Sequence, residues 1–225
     1  MRRETPSVGE RAMTAALDVP GAAPRTRELL ALQALAVPMP AVARMLFVVD
    51  FRPSMLCGRT RAFRSVAAAE AVVLLGAAAC AAGAEVGLLT LGCGTAVTLS
   101  ARPRPIREIV AGLVRAHEAA SAHALAGRLD DPPLARALSG LGRLAAPGSA
   151  VIIVSGFETP GAGLGACLAR LAEEHRLQLF QIADGAAACE TRRDIAGLPA
   201  EVLNASHPPE TIAARLAALV AQRAH

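Results

Sequence analysis

The sequence predicts a doubly wound α/β fold, a mostly parallel sheet with one antiparallel edge hairpin and helices on both faces. Three observations carry this. Two continuous apolar runs with β-branched residues, MLFVVDF at 45–51 and SAVIIVSGF at 149–157, suit central strands covered on both sides. Segments with apolar residues at helical spacing stand between these runs and further strands, the alternation that builds a layered parallel sheet. Finally, EVGLLTLG at 85–92 and the alternating TAVTLS at 95–100 are separated only by a Gly-Cys-Gly turn, which predicts a hairpin.

In chain order, residues 1–40 are rich in Pro, Ala and Arg, with one short apolar stretch, RELLALQALAV at 27–37. They predict an irregular amino-terminal arm carrying one helix or edge strand, so the domain proper is placed at 41–225. A long helix follows the first strand at 64–82, and IREIVAGLVRAH at 106–117 gives another. Asp130 and Asp131 precede Pro132 and Pro133, which suit a first helical turn that needs no amide donors. After the 149–157 strand come a helix at 163–175, the strand LQLFQIAD at 177–184, a weak strand EVLNA at 201–205 and a final helix at 209–223.

Composition limits the function. A chain of 225 residues, 53% hydrophobic and 19% charged, can bury one substantial core. All 23 basic residues are arginine, and they are scattered; with five Phe and no Tyr or Trp, stacking platforms for nucleic acid are not expected. Five widely spaced cysteines without a CxxC pair argue against a disulfide framework or zinc site and suit a reducing cytoplasm. The charged start, MRRETPSVGERAM, lacks the apolar stretch of a secretory signal. The alanine-rich run 67–84 contains Glu70 and reads as a core helix rather than a membrane span.

The chemistry-bearing residues gather at strand ends. Asp50 closes the first apolar strand and Ser54 follows in the loop, so a carboxylate and a hydroxyl stand at the carboxyl edge where open α/β sheets bind ligands. Asp50 also suits a turn-capping role. Ser155 after VIIV lacks a Gly-x-Ser-x-Gly elbow and a placed histidine, so no hydrolase triad is read. His117 and His123, six apart, do not share a helix face and are expected to be exposed. Gly161, Gly163 and Gly165 follow a strand and open a helix, but without ordered Gly-x-Gly-x-x-Gly spacing they fit turn chemistry best. Cys57 would be reactive if Arg52 or Arg59 lowered its pKa, yet no base pairs with it.

Residues 48–92, VVDFRPSMLCGRTRAFRSVAAAEAVVLLGAAACAAGAEVGLLTLG, resemble the von Willebrand factor A-like proteins of the bacterial "domain of unknown function 58" family. That family has an Asp-x-Arg/Ser-x-Ser-Met turn, a Gly-Thr-Arg-type loop, an alanine-rich helix and a Val-Gly-Leu strand. The likeness extends over about 45–185; upstream, Pro20-Gly21-Ala22-Ala23 stands where relatives carry acidic and Trp motifs. The resemblance implies a divalent-cation site formed by a first-loop Asp-x-Ser-x-Ser, a threonine and a third-loop aspartate. Here Asp50 and Ser54 match, Arg52 replaces the first serine, Pro132 aligns with the threonine with Asp130 and Asp131 close by, and Gly156 aligns with the aspartate, with Glu158 the nearest carboxylate. A fixed positive charge about 4 Å from a cation opposes it by on the order of 4 kcal/mol at an effective dielectric near 20. The expectation is therefore an Arg52–Asp50 ion pair in the metal's structural place, with weak Mg2+ binding by Asp50 and Ser54 surviving if Arg52 points outwards. The resemblance further implies a non-enzymatic interaction module, an adaptor for a MoxR-type AAA+ ATPase, contacting its partner through Asp50, Arg52, Ser54 and Glu158. The alternative is a small α/β enzyme or a nucleotide- or phosphate-binding protein that uses the glycine-rich 156–165 loop.

Overall fold

The computed structural model describes residues 44–58, 61–92, 96 and 97, 106–185, 188 and 191–222. The arm expected at 1–40 lies outside them, as do residues 98–100 of the expected hairpin.

Five α-helices and seven strands are found among the described residues. In order they are β1 Arg44–Asp50, α1 Arg64–Ala81, β2 Glu85–Leu91, β3 Ala96–Val97, α2 Ile106–Leu125 and α3 Leu134–Leu138, then β4 Ala150–Ser155, α4 Leu164–Glu174, β5 Arg176–Ala183, β6 Arg192–Ile195, β7 Leu198–Asn204 and α5 Pro209–Gln222. The sheet order is β3-β2-β1-β4-β5-β7-β6, parallel from β2 to β7 and antiparallel at both edges. The doubly wound, mostly parallel fold read from the sequence is the one observed.

Period-two alternation explains why helices cover both faces. Met45, Phe47 and Val49 of β1 join Ile152 and Val154 of β4 in a core beneath α1, α2 and α5. Leu46 and Val48 join Val151 and Ile153 in a second core beneath α3 and α4. On the first face α1 crosses the middle of the sheet with alanines at its contact positions; Ala67, Ala68 and Ala71 have no exposed surface. Small side chains let the helix lie close to the strands. By length and composition α1 is also apolar enough to cross a membrane, and 61% of that stretch is buried in the fold.

Two details differ from expectation. Helix α2 runs on to Leu125, beyond the predicted end at 117, because EAASAHAL contains no helix breaker. The second edge hairpin, β6–β7, was not anticipated. Its two-residue turn holds Ala196 at φ 53 and Gly197 at φ 90, a type I′ geometry in which Ala rather than the usual Asn or Asp precedes Gly. Asp194 supplies the missing polar contact by accepting the Gly197 amide at 2.9 Å.

The order reverses between β1 and β4: the chain leaves β1 towards β2 and leaves β4 towards β5. This switch point opens a crevice at the carboxyl ends of the two strands. Asp50 ends one of them and Ser155 the other.

The close fit of α1 predicts that Ala71→Leu overpacks the helix–sheet interface. A loss of about 1–3 kcal/mol is expected, read as a lower urea midpoint with an unchanged slope.

Candidate functional site

Arg52 lies in the crevice with no exposed surface, beside the equally buried Asp50. The residue follows β1 in extended conformation, and the 3-10 turn Pro53–Leu56 carries the chain away. Its guanidinium folds back on Asp50. Nη2 donates to Asp50 Oδ2 at 2.8 Å, and Nε donates to Oδ1 and Oδ2, both at 3.1 Å. The Arg52 amide also donates to Oδ1 at 2.9 Å.

The remaining donors reach two other loops. Nη1 donates to the Pro132 carbonyl at 2.8 Å and to the Thr159 carbonyl at 3.4 Å, and Nη2 donates to the Glu158 carbonyl at 2.9 Å. Asp131 Oδ2 lies 3.2 Å from Nη1 as an ion pair without hydrogen-bond geometry. Its other oxygen accepts from the Ser54 amide at 3.2 Å and from the Ser54 hydroxyl at 3.1 Å. Ser155 completes the cage by donating to Asp50 Oδ2 at 2.6 Å while accepting the Phe157 amide at 2.9 Å. One planar cation thus ties together the loops after β1, before α3 and after β4.

The loop after β4 is bent to serve it. Phe157 has φ 60 and Thr159 φ 47, a region that bulky and β-branched residues seldom adopt. The bend turns the Glu158 and Thr159 carbonyls onto the guanidinium, and the Thr159 carbonyl also accepts the Leu134 amide at 3.0 Å. Gly161 is needed for a different reason: at φ 76, a Cβ there would stand 2.6 Å from Pro133 Cβ. The glycine run at 161–165 is therefore accounted for by turn geometry and close packing.

These residues do not fit a divalent cation. Both Asp50 oxygens are engaged by donors, Ser54 turns to Asp131, and the positive charge already present fills the space the oxygens enclose. Among the described residues, no group of three His, Cys, Asp or Glu side chains converges as metal ligands.

A second ion cluster lies beside the first. Arg64, in the first turn of α1, pairs with Glu158 Oε1 and donates through Nη2 to Asp184 Oδ1 at 2.8 Å. Burial opposes its charge, but the Asp184 hydrogen bond and the Glu158 charge hold its pKa above the ordinary value. Glu158 Oε2 and Asp184 Oδ2 are buried without hydrogen-bond partners.

Of the four residues expected to meet a partner, Asp50 and Arg52 are sealed inside, while Ser54 and Glu158 are half-buried at the rim. Among the described residues of these loops, Cys57, Asp130, Thr159 and Pro160 are exposed around them. His117 departs from the expected exposure: it is half-buried, its ring 6.5 Å from Phe51 and 6.0 Å from Phe63, with Nδ1 3.3 Å from Ser65 Oγ. His123 is exposed. Sequence reasoning set Asp131 close to the site without giving it a role, and missed Ser155, Arg64 and Asp184 as site residues. For Asp184 the signal was available, since it ends an apolar strand as Asp50 does.

Cys57 is not activated. Burial pushes its thiol above the ordinary pKa; Arg64 pulls it down, and Asp184 and Glu158 push it further up.

No protein-family profile matches this chain, and no curated protein matches its sequence.

Two outcomes are expected from this geometry. Asp50→Asn and Arg52→Met should each cost about 3–5 kcal/mol by leaving an unpaired buried group, and the double variant less than their sum, measured by urea unfolding in a double-mutant cycle. At about pH 8, Cys57 should alkylate more slowly than a free thiol of ordinary pKa near 8.5, as followed by peptide-resolved mass spectrometry; equal rates would contradict a raised pKa.

Proposed function

We propose that this protein is a non-enzymatic interaction module of the von Willebrand factor A-like type, working in the cytoplasm as an adaptor for a MoxR-type AAA+ ATPase. The observation that carries the reading is the Arg52 guanidinium held among the oxygens of three loops at the switch point. A cation fixed there organises a recognition face without offering a reactive group or an open coordination position. The strand order and the Asp50-Arg52-Ser54 loop support the proposed type, because they place these residues where the resemblance expects a cation. Contact then falls to the rim, with Ser54, Asp130, Glu158 and Thr159 meeting the partner and Asp50 and Arg52 holding the rim in shape.

A second reading, a binding protein for a nucleotide or phosphorylated ligand, is favoured by one feature. An open cavity of about 520 Å3 between α3 and α4 is lined by Gly163, Arg136 and Arg170. Ligand binding there would raise the melting temperature with ligand concentration.

Tagged protein treated with EDTA and dialysed before use as bait should recover an AAA+ ATPase from its own cells as well as untreated bait does. An Asp130→Arg/Glu158→Gln variant of unchanged melting temperature should recover less. Equal recovery by the variant would refute the top-face reading, and loss after EDTA treatment would show that a metal is needed. A melting temperature raised by nucleotide or phosphate, with no ATPase recovered, would favour the cavity reading.

A further inference from the structure

Helices α3 and α4 lie side by side because Leu134 and Leu138 of one and Leu164 and Leu168 of the other enter the same core. The backbone ties their starts together: the Leu134 and Ala135 amides donate to the Thr159 and Pro160 carbonyls, both at 3.0 Å. The outer side of the pair encloses the open cavity of about 520 Å3, with Arg136 from α3 and Arg170 from α4 in its lining. Both arginines are exposed, and neither forms an ion pair among the described residues. No carboxylate lines the cavity, and Ala135, Ala162, Ala166 and Cys167 make up much of its wall. Two positive charges thus stand over small side chains in a cleft of one sign, an arrangement that focuses the field on an anion.

We propose that this cavity takes a compact phosphate-class dianion, either free pyrophosphate or the phosphoryl group of a small molecule, and recognises neither the base nor the ribose of a nucleotide. This inference rests on the cavity reading above and narrows its ligand class. Two guanidinium groups balance two negative charges, and each can offer a phosphate paired N–H donors. A nucleoside finds no such match. Its base lacks a stacking platform, since no aromatic side chain lines the cavity and the arginines are engaged by phosphate. Its ribose lacks the acidic side chain that accepts sugar hydroxyls in dinucleotide sites.

Titration calorimetry on the full chain tests this, together with alkylation of Cys167 followed by peptide-resolved mass spectrometry. Pyrophosphate should bind and should slow alkylation of Cys167 while leaving Cys57 unchanged. ADP should bind no tighter than pyrophosphate, and adenosine should give neither signal. Arg136→Gln and Arg170→Gln should each weaken pyrophosphate binding by about tenfold or more, with the urea midpoint unchanged because neither side chain holds another part of the fold. Glycerol phosphate separates the two sources: tighter binding than pyrophosphate supports a phosphorylated molecule as the ligand, and weaker binding supports the free anion. Pyrophosphate binding undiminished by either substitution would overturn the proposal. Protection of Cys167 by ADP but not by pyrophosphate would also overturn it while leaving the cavity reading standing, and protection by none of the phosphates would remove both.

Discussion

Everything at the top of the sheet depends on one buried ion pair. Asp50 ends a central strand without access to solvent, and an isolated carboxylate there would be expelled or protonated. Arg52, two residues on, compensates it through two side-chain nitrogens and one backbone amide. Because a guanidinium carries five donors in a plane, satisfying the carboxylate leaves donors to spare. The surplus goes to carbonyls of Pro132 and Glu158, so the ion pair also fixes two distant loops.

A side-chain cation differs physically from a bound ion in the same place. It needs no uptake from solution, cannot dissociate while the fold persists, and donates hydrogen bonds only in its own plane. An ion would accept lone pairs from any direction and could leave a position open for a partner's oxygen. The strained loop after β4 is the structural consequence. Carbonyls at 158 and 159 must lie where the guanidinium nitrogens point, and Phe157 and Thr159 take positive φ to put them there. Strain of order 1–3 kcal/mol per residue persists only where the surroundings over-determine it, and charge-assisted hydrogen bonds in a dry crevice supply that determination.

The layered fold was legible because the residues that encode it are local and redundant. The apolar runs of β1 and β4 fix buried strands by themselves, and the Gly-Cys-Gly turn announces the first hairpin. The β6–β7 hairpin was hidden because its turn places alanine where the geometry favours asparagine or aspartate, and Asp194 compensates from outside the turn. The Arg52–Asp50 pair could be foreseen from two neighbours in sequence. Its partners were harder to read: Asp131 and Ser155 lie 81 and 105 residues from Asp50, and although the alignment brings Asp131 near, neither stands in a pattern that names its target. The direction of Arg52 was the decisive unknown. A loop arginine can reach outwards as easily as inwards until the carbonyls that receive it are placed.

The two ion clusters answer differently to their surroundings. The Arg52–Asp50 side chains have no exposed surface, so dissolved salt cannot screen them and a partner cannot compete for them. Arg64 is 15% exposed and Glu158 39%, within reach of both. Glu158 belongs to both clusters at once: its backbone carbonyl receives Arg52 while its carboxylate receives Arg64. Loss of the Arg64 contact by the carboxylate would therefore leave the backbone anchored. A backbone fixed to a sealed arginine and a carboxylate within reach of solvent thus meet in a single residue, and a change at the carboxylate need not move the loop.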